Sequence, residues 1–242
     1  QHWISYAKLW WHSNKRWSHY NMMVLHGDED YGWTRKCDPA VKQDFTYVCF
    51  DAAGKPNAYT TFRLANEPDG RNLVCSRFCF ADKGGFDELM RLYKSLSSDH
   101  RFVKFSTPAD PAMQYFMPEW SLGAVSWSMQ SAGMVRVVNV KSVLEKARYI
   151  GSGTVCVAVQ DSQIPENNDS FTVTFADGRA ASVTRGGEAD AVMTVPTFSA
   201  LIAGVWDFAE ARGALPGLEV KRENPCLNQV FFRKPLMIAD YF

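Results

Sequence analysis

The sequence predicts an α/β (α+β) protein made of two units, each built on a mixed sheet with flanking helices. Two observations lead there. Hydrophobic residues make up 46% and charged residues 21% of 242 residues, which is enough apolar side chain to fill two cores of ordinary size. Along the chain, β-prone runs bounded by turn residues alternate with stretches of helical periodicity. The linker-like residues Ser131, Ala132 and Gly133 place the boundary, giving units over 1–132 and 133–242.

In the first unit, residues 1 to about 26 read as helix, because Trp3, Trp10 and Trp17 recur at intervals of seven and form a packing stripe. His12, His19 and His26 follow the same interval. Two helical turns separate such rings by roughly 10 Å, too far for one metal ion to bridge. A hairpin follows: Tyr47-Val48-Cys49-Phe50, the turn Asp51–Lys55, and the returning strand Tyr59–Leu64. Leu73–Phe80 reads as a third strand, Phe86–Ser97 as a helix, Phe102–Phe105 as a short strand, Asp110–Met117 as a helix stopped by Pro118, and Gly123–Gln130 as a strand.

In the second unit, Met134–Val140 is β-like and Lys141–Arg148 is a short helix. Cys156–Gln160 is a strand. Phe171–Phe175 and Ala180–Arg185 form a hairpin around Asp177-Gly178, a dipeptide that favours a two-residue turn. Leu201, Ile202, Val205 and Phe208 fall at helical intervals and predict one helix over Thr197–Arg212, and an apolar stretch runs from Asn228 to Phe242.

Several function classes are excluded. Lys plus Arg equals Asp plus Glu at 26 each, so no global positive field is available for nucleic acid. The six cysteines form no CxxC pair, which leaves no zinc site, no other metal site and no disulfide framework; isolated thiols in apolar runs suit a reducing, cytoplasmic setting. No apolar run reaches the roughly 20 residues of a membrane span. The chain starts at Gln1, without Met and inside an amphipathic pattern, which points to a truncated or processed start.

Chemistry-bearing motifs are few. There is no GxSxG elbow, Walker A loop or HExxH. Gly151-Ser152-Gly153 reads as a plain loop. Asp28-Glu29-Asp30 reads either as a solvated turn or as a carboxylate cluster that attracts a cationic amine.

The order hairpin, strand, Gly-containing turn, helix, strand, helix over residues 45–117 resembles the GNAT acetyltransferase fold. In that fold the turn before the helix reads Arg/Gln-x-x-Gly-x-Gly/Ala, and its N–H groups cradle the pyrophosphate of acetyl-CoA. Here it reads Ala81-Asp82-Lys83-Gly84-Gly85-Phe86-Asp87, with the wrong glycine spacing and two carboxylates where the phosphates would lie. Further on, Met134–Val140, Val155–Asp161, Pro165-Glu166-Asn167, Phe171–Phe175 with Asp177-Gly178, and the closing Tyr241-Phe242 resemble the C-terminal domain of the enhanced intracellular survival (Eis) family of N-acetyltransferases. Eis proteins carry a catalytic GNAT domain, a degenerate GNAT domain and a domain like sterol carrier protein. This chain is similar to the last two.

The resemblance implies a parent enzyme that moves an acetyl group from acetyl-CoA to polyamine-like or aminoglycoside-like primary amines. Acetyl-CoA is then held by the upstream catalytic GNAT domain of the same polypeptide, and no cofactor by this chain. It also implies a cytoplasmic homo-oligomer and a catalytic role for the α-carboxylate of Phe242 as proton acceptor. An α-carboxyl of ordinary pKa, about 3.3–3.7, is a weak base until it is desolvated. The other reading of Phe242 is a hydrophobic terminus that completes the core. Two non-enzymatic roles also stand open: a sterol-carrier-like module for an apolar ligand, and an oligomerisation scaffold.

Overall fold

The computed structural model describes residues 43–107, 125, 126, 128, 134–234 and 236. They fall into two compact units divided close to residue 130. The Trp and His stripes of residues 1–26 and the helix expected over Asp110–Met117 lie outside the described residues, as does most of the strand expected over Gly123–Gln130; Val125, Ser126 and Ser128 are not in a strand.

The described part of the first unit runs β1 (Phe45–Phe50), β2 (Pro56–Glu67), β3 (Gly70–Phe80), α1 (Lys83–Ser95) and β4 (Val103–Lys104). Its strands make a four-stranded sheet in sequence order, antiparallel except for the parallel pair β3–β4 that α1 connects. In the β1–β2 turn, Asp51 accepts hydrogen bonds from the backbone of Ala53 and Lys55, the local side-chain-to-backbone bonding that places Asp in turns. α1 buries Phe86, Leu89 and Tyr93, spaced three and four apart, against Ala58, Phe62, Leu73, Phe78 and Phe80 of the sheet.

The β2–β3 ladder slips by one residue between Thr61 and Phe62. A bulge leaves ladder groups without their regular partners. Here two hydroxyls take them up: Thr60 Oγ1 donates to the Arg77 carbonyl at 3.0 Å and Ser76 Oγ to the Thr61 carbonyl at 3.3 Å. Tyr93 on α1 donates to Thr60 Oγ1 at 2.8 Å, tying the helix to the bulge. Burial, with the Cys75 thiol beside it, holds the Tyr93 phenol protonated far above the usual range. At the other end of the sheet, Asn72 donates to Glu67 and Asp69 and accepts from the Phe102 backbone, while Lys104 bridges both carboxylates; this staples short β4 to the β2–β3 turn.

The second unit runs α2 (Val140–Lys146), β5 (Gly153–Gln160), a 3-10 turn (Pro165–Asn167), β6 (Asp169–Ala176), β7 (Arg179–Arg185), β8 (Ala191–Thr194), α3 (Val195–Ala203), α4 (Phe208–Ala211), β9 (Leu218–Val220) and α5 (Cys226–Val230). Among the described residues its sheet has five strands in the order β7-β6-β5-β8-β9, with β5–β8 parallel and the other pairs antiparallel. Asp177 and Gly178 both have positive φ, 52° and 78°, as the two-residue hairpin turn requires. Alternate residues of β5 and β6 (Val155, Val157 and Val159; Phe171, Val173 and Phe175) face one core with Met193, Phe198, Leu201 and Phe231.

Two sequence expectations fail here for local reasons. Residues Met134–Asn139 are not a strand. Their β-branched side chains favour extended backbone, but the N–H of Val137 goes to Ser199 Oγ and that of Val140 to Asn167 Oδ1, so side chains replace a ladder. The single helix expected over Thr197–Arg212 is two. Gly204, at φ 88°, ends α3 in the left-handed conformation, with its N–H shared between the last-turn carbonyls of Ala200 and Leu201. Asp207 then caps α4 by accepting from the Glu210 N–H at 2.8 Å. Strands β8 and β9 were not anticipated: both are short, and β9 gains its identity from pairing with β8.

Candidate functional site

The residues that the sequence singled out for chemistry, Asp28, Glu29, Asp30 and Phe242, lie outside the described residues. Three other places in the described chain hold organised polar groups.

The first is the N-terminus of α1, where a GNAT fold would cradle a pyrophosphate. Asp82 is the N-cap; its Oδ1 accepts from the Gly85 N–H at 3.0 Å and from Asn57 Nδ2 at 3.1 Å. A carboxylate of the chain itself thus takes the donor position that an external anion would use. The approach is tight: a Cβ on Gly85 would stand 2.5 Å from the Asn57 carbonyl, so the helix end is pressed onto β2 and only glycine fits. Lys83, which could have served a phosphate, pairs with Asp87 at 2.5 Å.

The second is a pair of buried carboxylates in the second unit. The Asp161 side chain is 0% exposed. It accepts from Asn167 Nδ2 at 2.9 Å, from the backbone N–H groups of Gln163 and Ile164, and from Arg136 at 2.6 Å. The Asn167 bond first, then the backbone donors and Arg136, outweigh the opposing effect of desolvation and push its pKa down to about 2. Asp190 is wired in the same manner to the Cys156 N–H at 2.8 Å, Arg222 Nε at 2.7 Å and Asn224 Nδ2 at 2.9 Å. Burial pushes its carboxyl up, and these donors together hold it below the ordinary range. Each carboxylate has its acceptor capacity spent on the fold. Asp161 organises the loop to β6, and Asp190 joins β5, β8 and the segment after β9. Both read as structural. The signal in the sequence was the Asn and Pro content of Asp161–Asn168, a run typical of side-chain-capped turns.

The third is Lys234, whose residue is only 6% exposed. Its Nζ donates to the Ile202 carbonyl in the last turn of α3 at 2.9 Å and stands 4.7 Å from the Phe232 ring centroid. Its backbone N–H donates to the Gly204 carbonyl at 3.0 Å. A Cβ on Gly204 would come within 2.4 Å of Lys234 Cβ, so the two backbones meet in direct contact. Desolvation alone pushes the ammonium pKa down to about 8. The negative end of α3 and the aromatic face are what offset that cost. Sequence reading passed over Lys234 because a charge at the end of an apolar run looks like a surface residue.

Among the described residues no group of His, Cys, Asp or Glu could hold a metal ion, and no helix is long and apolar enough to cross a membrane. Residues 140–215 match the sterol carrier protein domain family. Curated proteins give no significant match. Solved structures do. A GCN5-related N-acetyltransferase from Anabaena variabilis superposes with TM-score 0.76 at 18% identity, over 92% of this chain and 56% of its own. A probable N-acyltransferase from Enterococcus faecalis gives TM-score 0.76 at 20% identity, over 92% of this chain and 55% of its own. Eis1 from Mycobacterium abscessus gives 0.65 at 15% identity, over 89% and 55%. The chain therefore spans just over half the length of the structures it is similar to. At these identities the likeness establishes the fold: a GNAT-like mixed-sheet unit followed by an α+β unit like sterol carrier protein.

Proposed function

We propose that this chain is the C-terminal, two-domain part of an acetyl-CoA-dependent N-acetyltransferase of Eis type that acts on primary amines. The observation that carries the reading is the superposition of 92% of the chain on just over half of a GCN5-related N-acetyltransferase. The remainder of such an enzyme would be the catalytic GNAT domain, upstream in the same polypeptide, and that domain would hold acetyl-CoA. The present chain would not, because Asp82 already fills the anion position at α1 and Gly85 lies against Asn57. In the reaction, the amine nitrogen attacks the thioester carbonyl, the new C–N bond forms as the C–S bond breaks, and coenzyme A leaves as the thiolate, which takes a proton from water to give the free thiol. The amine proton passes to a base, for which we propose the α-carboxylate of Phe242. Asp28, Glu29 and Asp30 would draw the cationic substrate toward the site by long-range attraction. Homo-oligomerisation and a cytoplasmic location belong to the same proposal.

The test uses the full-length protein. Mixed with acetyl-CoA and a polyamine or an aminoglycoside, it should release free thiol and yield a monoacetylated or multiply acetylated amine by mass spectrometry. Calorimetry should give one acetyl-CoA per chain. Absence of turnover with both amine classes would remove the acetyltransferase reading, and a stoichiometry of two would remove the claim that α1 is closed.

A second reading rests on the match of residues 140–215 to the sterol carrier protein domain: the second unit would hold an apolar ligand between its sheet and α3. Phe198, Leu201, Met193 and Phe231 fill the space there as a packed core. Displacement of a fluorescent fatty acid from the full-length protein would favour this reading over the first.

A further inference from the structure

A sheet edge offers backbone N–H and C=O groups to any strand that reaches it, and folded proteins blunt their edges with charge, brevity or a bulge. Among the described residues the two sheets have four edges, and three are blunted. β4 is two residues long and carries Lys104. β9 is three residues long, with Glu219 at its centre and Lys221 directly after it. β7 begins on Arg179, ends on Arg185 and bulges against β6 between them. β1 has none of these devices along its length. Its six residues, Phe45–Phe50, include no charge, proline or glycine, and among the described residues it pairs with β2 alone. Tyr47 is 43% and Phe50 41% exposed. The Tyr47 ring lies flat on Phe62 of β2 with centroids 5.6 Å apart, which holds it at the rim of the sheet. The one slip in the β1–β2 ladder falls between Cys49 and Phe50, so Phe45–Cys49 is regular.

We propose that the β1 edge is an interface between two copies of this chain, with β1 meeting β1 antiparallel about a two-fold axis at Tyr47. The inference rests on the proposed homo-oligomerisation and not on the acetyl-transfer chemistry. The register follows from the strand itself. Residues directly opposed in an antiparallel pair share a face of the sheet. Tyr47 is the midpoint of the regular segment, so an axis there sets Phe45 against Cys49, Thr46 against Val48, and Tyr47 against its own copy. Each of these pairs keeps its face, all the members are apolar or β-prone, and no like charges oppose one another. A two-fold axis needs a self-complementary patch, and this segment is one. The product is one sheet running through both copies, with both α1 helices on the same face. Six residues span about 20 Å, and a contact of that length is small beside the roughly 1,200–2,000 Å² of a stable interface. The pairing is therefore reversible and concentration-dependent.

The experiment uses the full-length protein. Sedimentation velocity at rising concentration should show an assembly and its doubled form, with the doubled form growing as the protein is concentrated. Thr46→Lys and Tyr47→Lys each put a charge into the pairing and should weaken the doubling at least about tenfold. Ser182→Lys, on the blunted β7 edge, should leave it unchanged. Tyr47→Cys reads the register directly. Opposed residues of an antiparallel pair have Cα atoms about 4.5–5.5 Å apart, which is within disulfide range. Mild oxidation should join the two introduced thiols, identified by peptide mass under non-reducing conditions, and Ser182→Cys should give no such link. If a lysine variant melts early, the Tyr47→Cys link decides the matter, because it forms only where two copies meet at that residue. Absence of the link overturns the β1 interface, and so does doubling that persists unchanged in both lysine variants. In either case a wild type that still doubles leaves oligomerisation through another face standing. A wild type that stays monomeric at every concentration overturns the interface and the homo-oligomer together.

Discussion

The two units differ in the polar groups they bury. In the first, the polar atoms inside the fold are neutral: Thr60, Tyr93 and Cys75 at the bulge and Asn72 at the β2–β3 turn, with the charges of Glu67, Asp69 and Lys104 left toward solvent. In the second, ionised groups are buried beside neutral ones: Asp161, Asp190 and Lys234 lie inside the fold with Asn167, Thr197 and Ser199. Neutral hydroxyls need only a partner, and a bulge supplies carbonyls for them. A buried charge needs several donors or a helix end, so it fixes more of the chain around itself and leaves a titration behind. The second unit should therefore gain stability as pH rises at both the acid and the alkaline end, whereas the first carries the surface carboxyls of Glu67 and Asp69, held low by Lys104 and Asn72, and thiols that burial pushes up.

Removing core volume has the largest expected effect, and it asks whether the two units fail separately. Phe231 touches Phe198 edge-on and Phe208 in a stacked geometry, and Phe86 meets Phe78 and Phe80 edge-on. Phe231→Ala and Phe86→Ala should each cost about 3–5 kcal/mol. Hydrogen exchange should show lost protection in the sheet that holds the cavity and little change in the other. Equal loss in both sheets would mean that the contrast between units has no thermodynamic counterpart.

The pH predictions test the contrast directly. The folded pKa of Asp161 lies below its unfolded value, so its contribution is complete above about pH 4 and is lost as pH falls toward about 2. Lys234 is also lowered, to about 8 from an unfolded value near 10.4, and for a base that means the folded state releases its proton first. Stability of the second unit should then rise between about pH 8 and 10.4. Thermal unfolding followed across pH should show both slopes in wild type, a shallower acid slope in Asp161→Asn because Asp190 still titrates, and no alkaline gain in Lys234→Met. A first-unit probe that also gained stability between about pH 8 and 10.4 would break the comparison.

The smallest effects sharpen the account of the first unit. Asp82→Ala removes the α1 cap and should cost about 1 kcal/mol. Tyr93→Phe removes the bond to Thr60 at 2.8 Å and should cost about 1 kcal/mol, independent of pH through the neutral range because burial keeps the phenol protonated. Chemical denaturation curves for the two variants check both figures.

What the sequence determined by itself is local. The β1–β2 and β6–β7 hairpins were legible because Asp51–Lys55 and Asp177-Gly178 encode their own turns, and α1 because Phe86, Leu89 and Tyr93 repeat at helical spacing. The anomaly at Ala81–Asp87 was also legible, since glycine spacing and carboxylates are read directly from the chain. Tertiary structure decided whatever depended on a partner far away in sequence. Met134–Asn139 carries strand-like residues, yet Ser199 and Asn167 take its N–H groups. β8 becomes a central strand only because β5 lies parallel to it, and a parallel partner leaves no turn in the sequence to announce it. Lys234 looks like a surface lysine until the end of α3, ended by a glycine thirty residues earlier, is placed against it. Turns and helical stripes are short-range sterics, written in adjacent residues; the burial of a charge is a property of what packs around it, and that is settled only when the chain is folded.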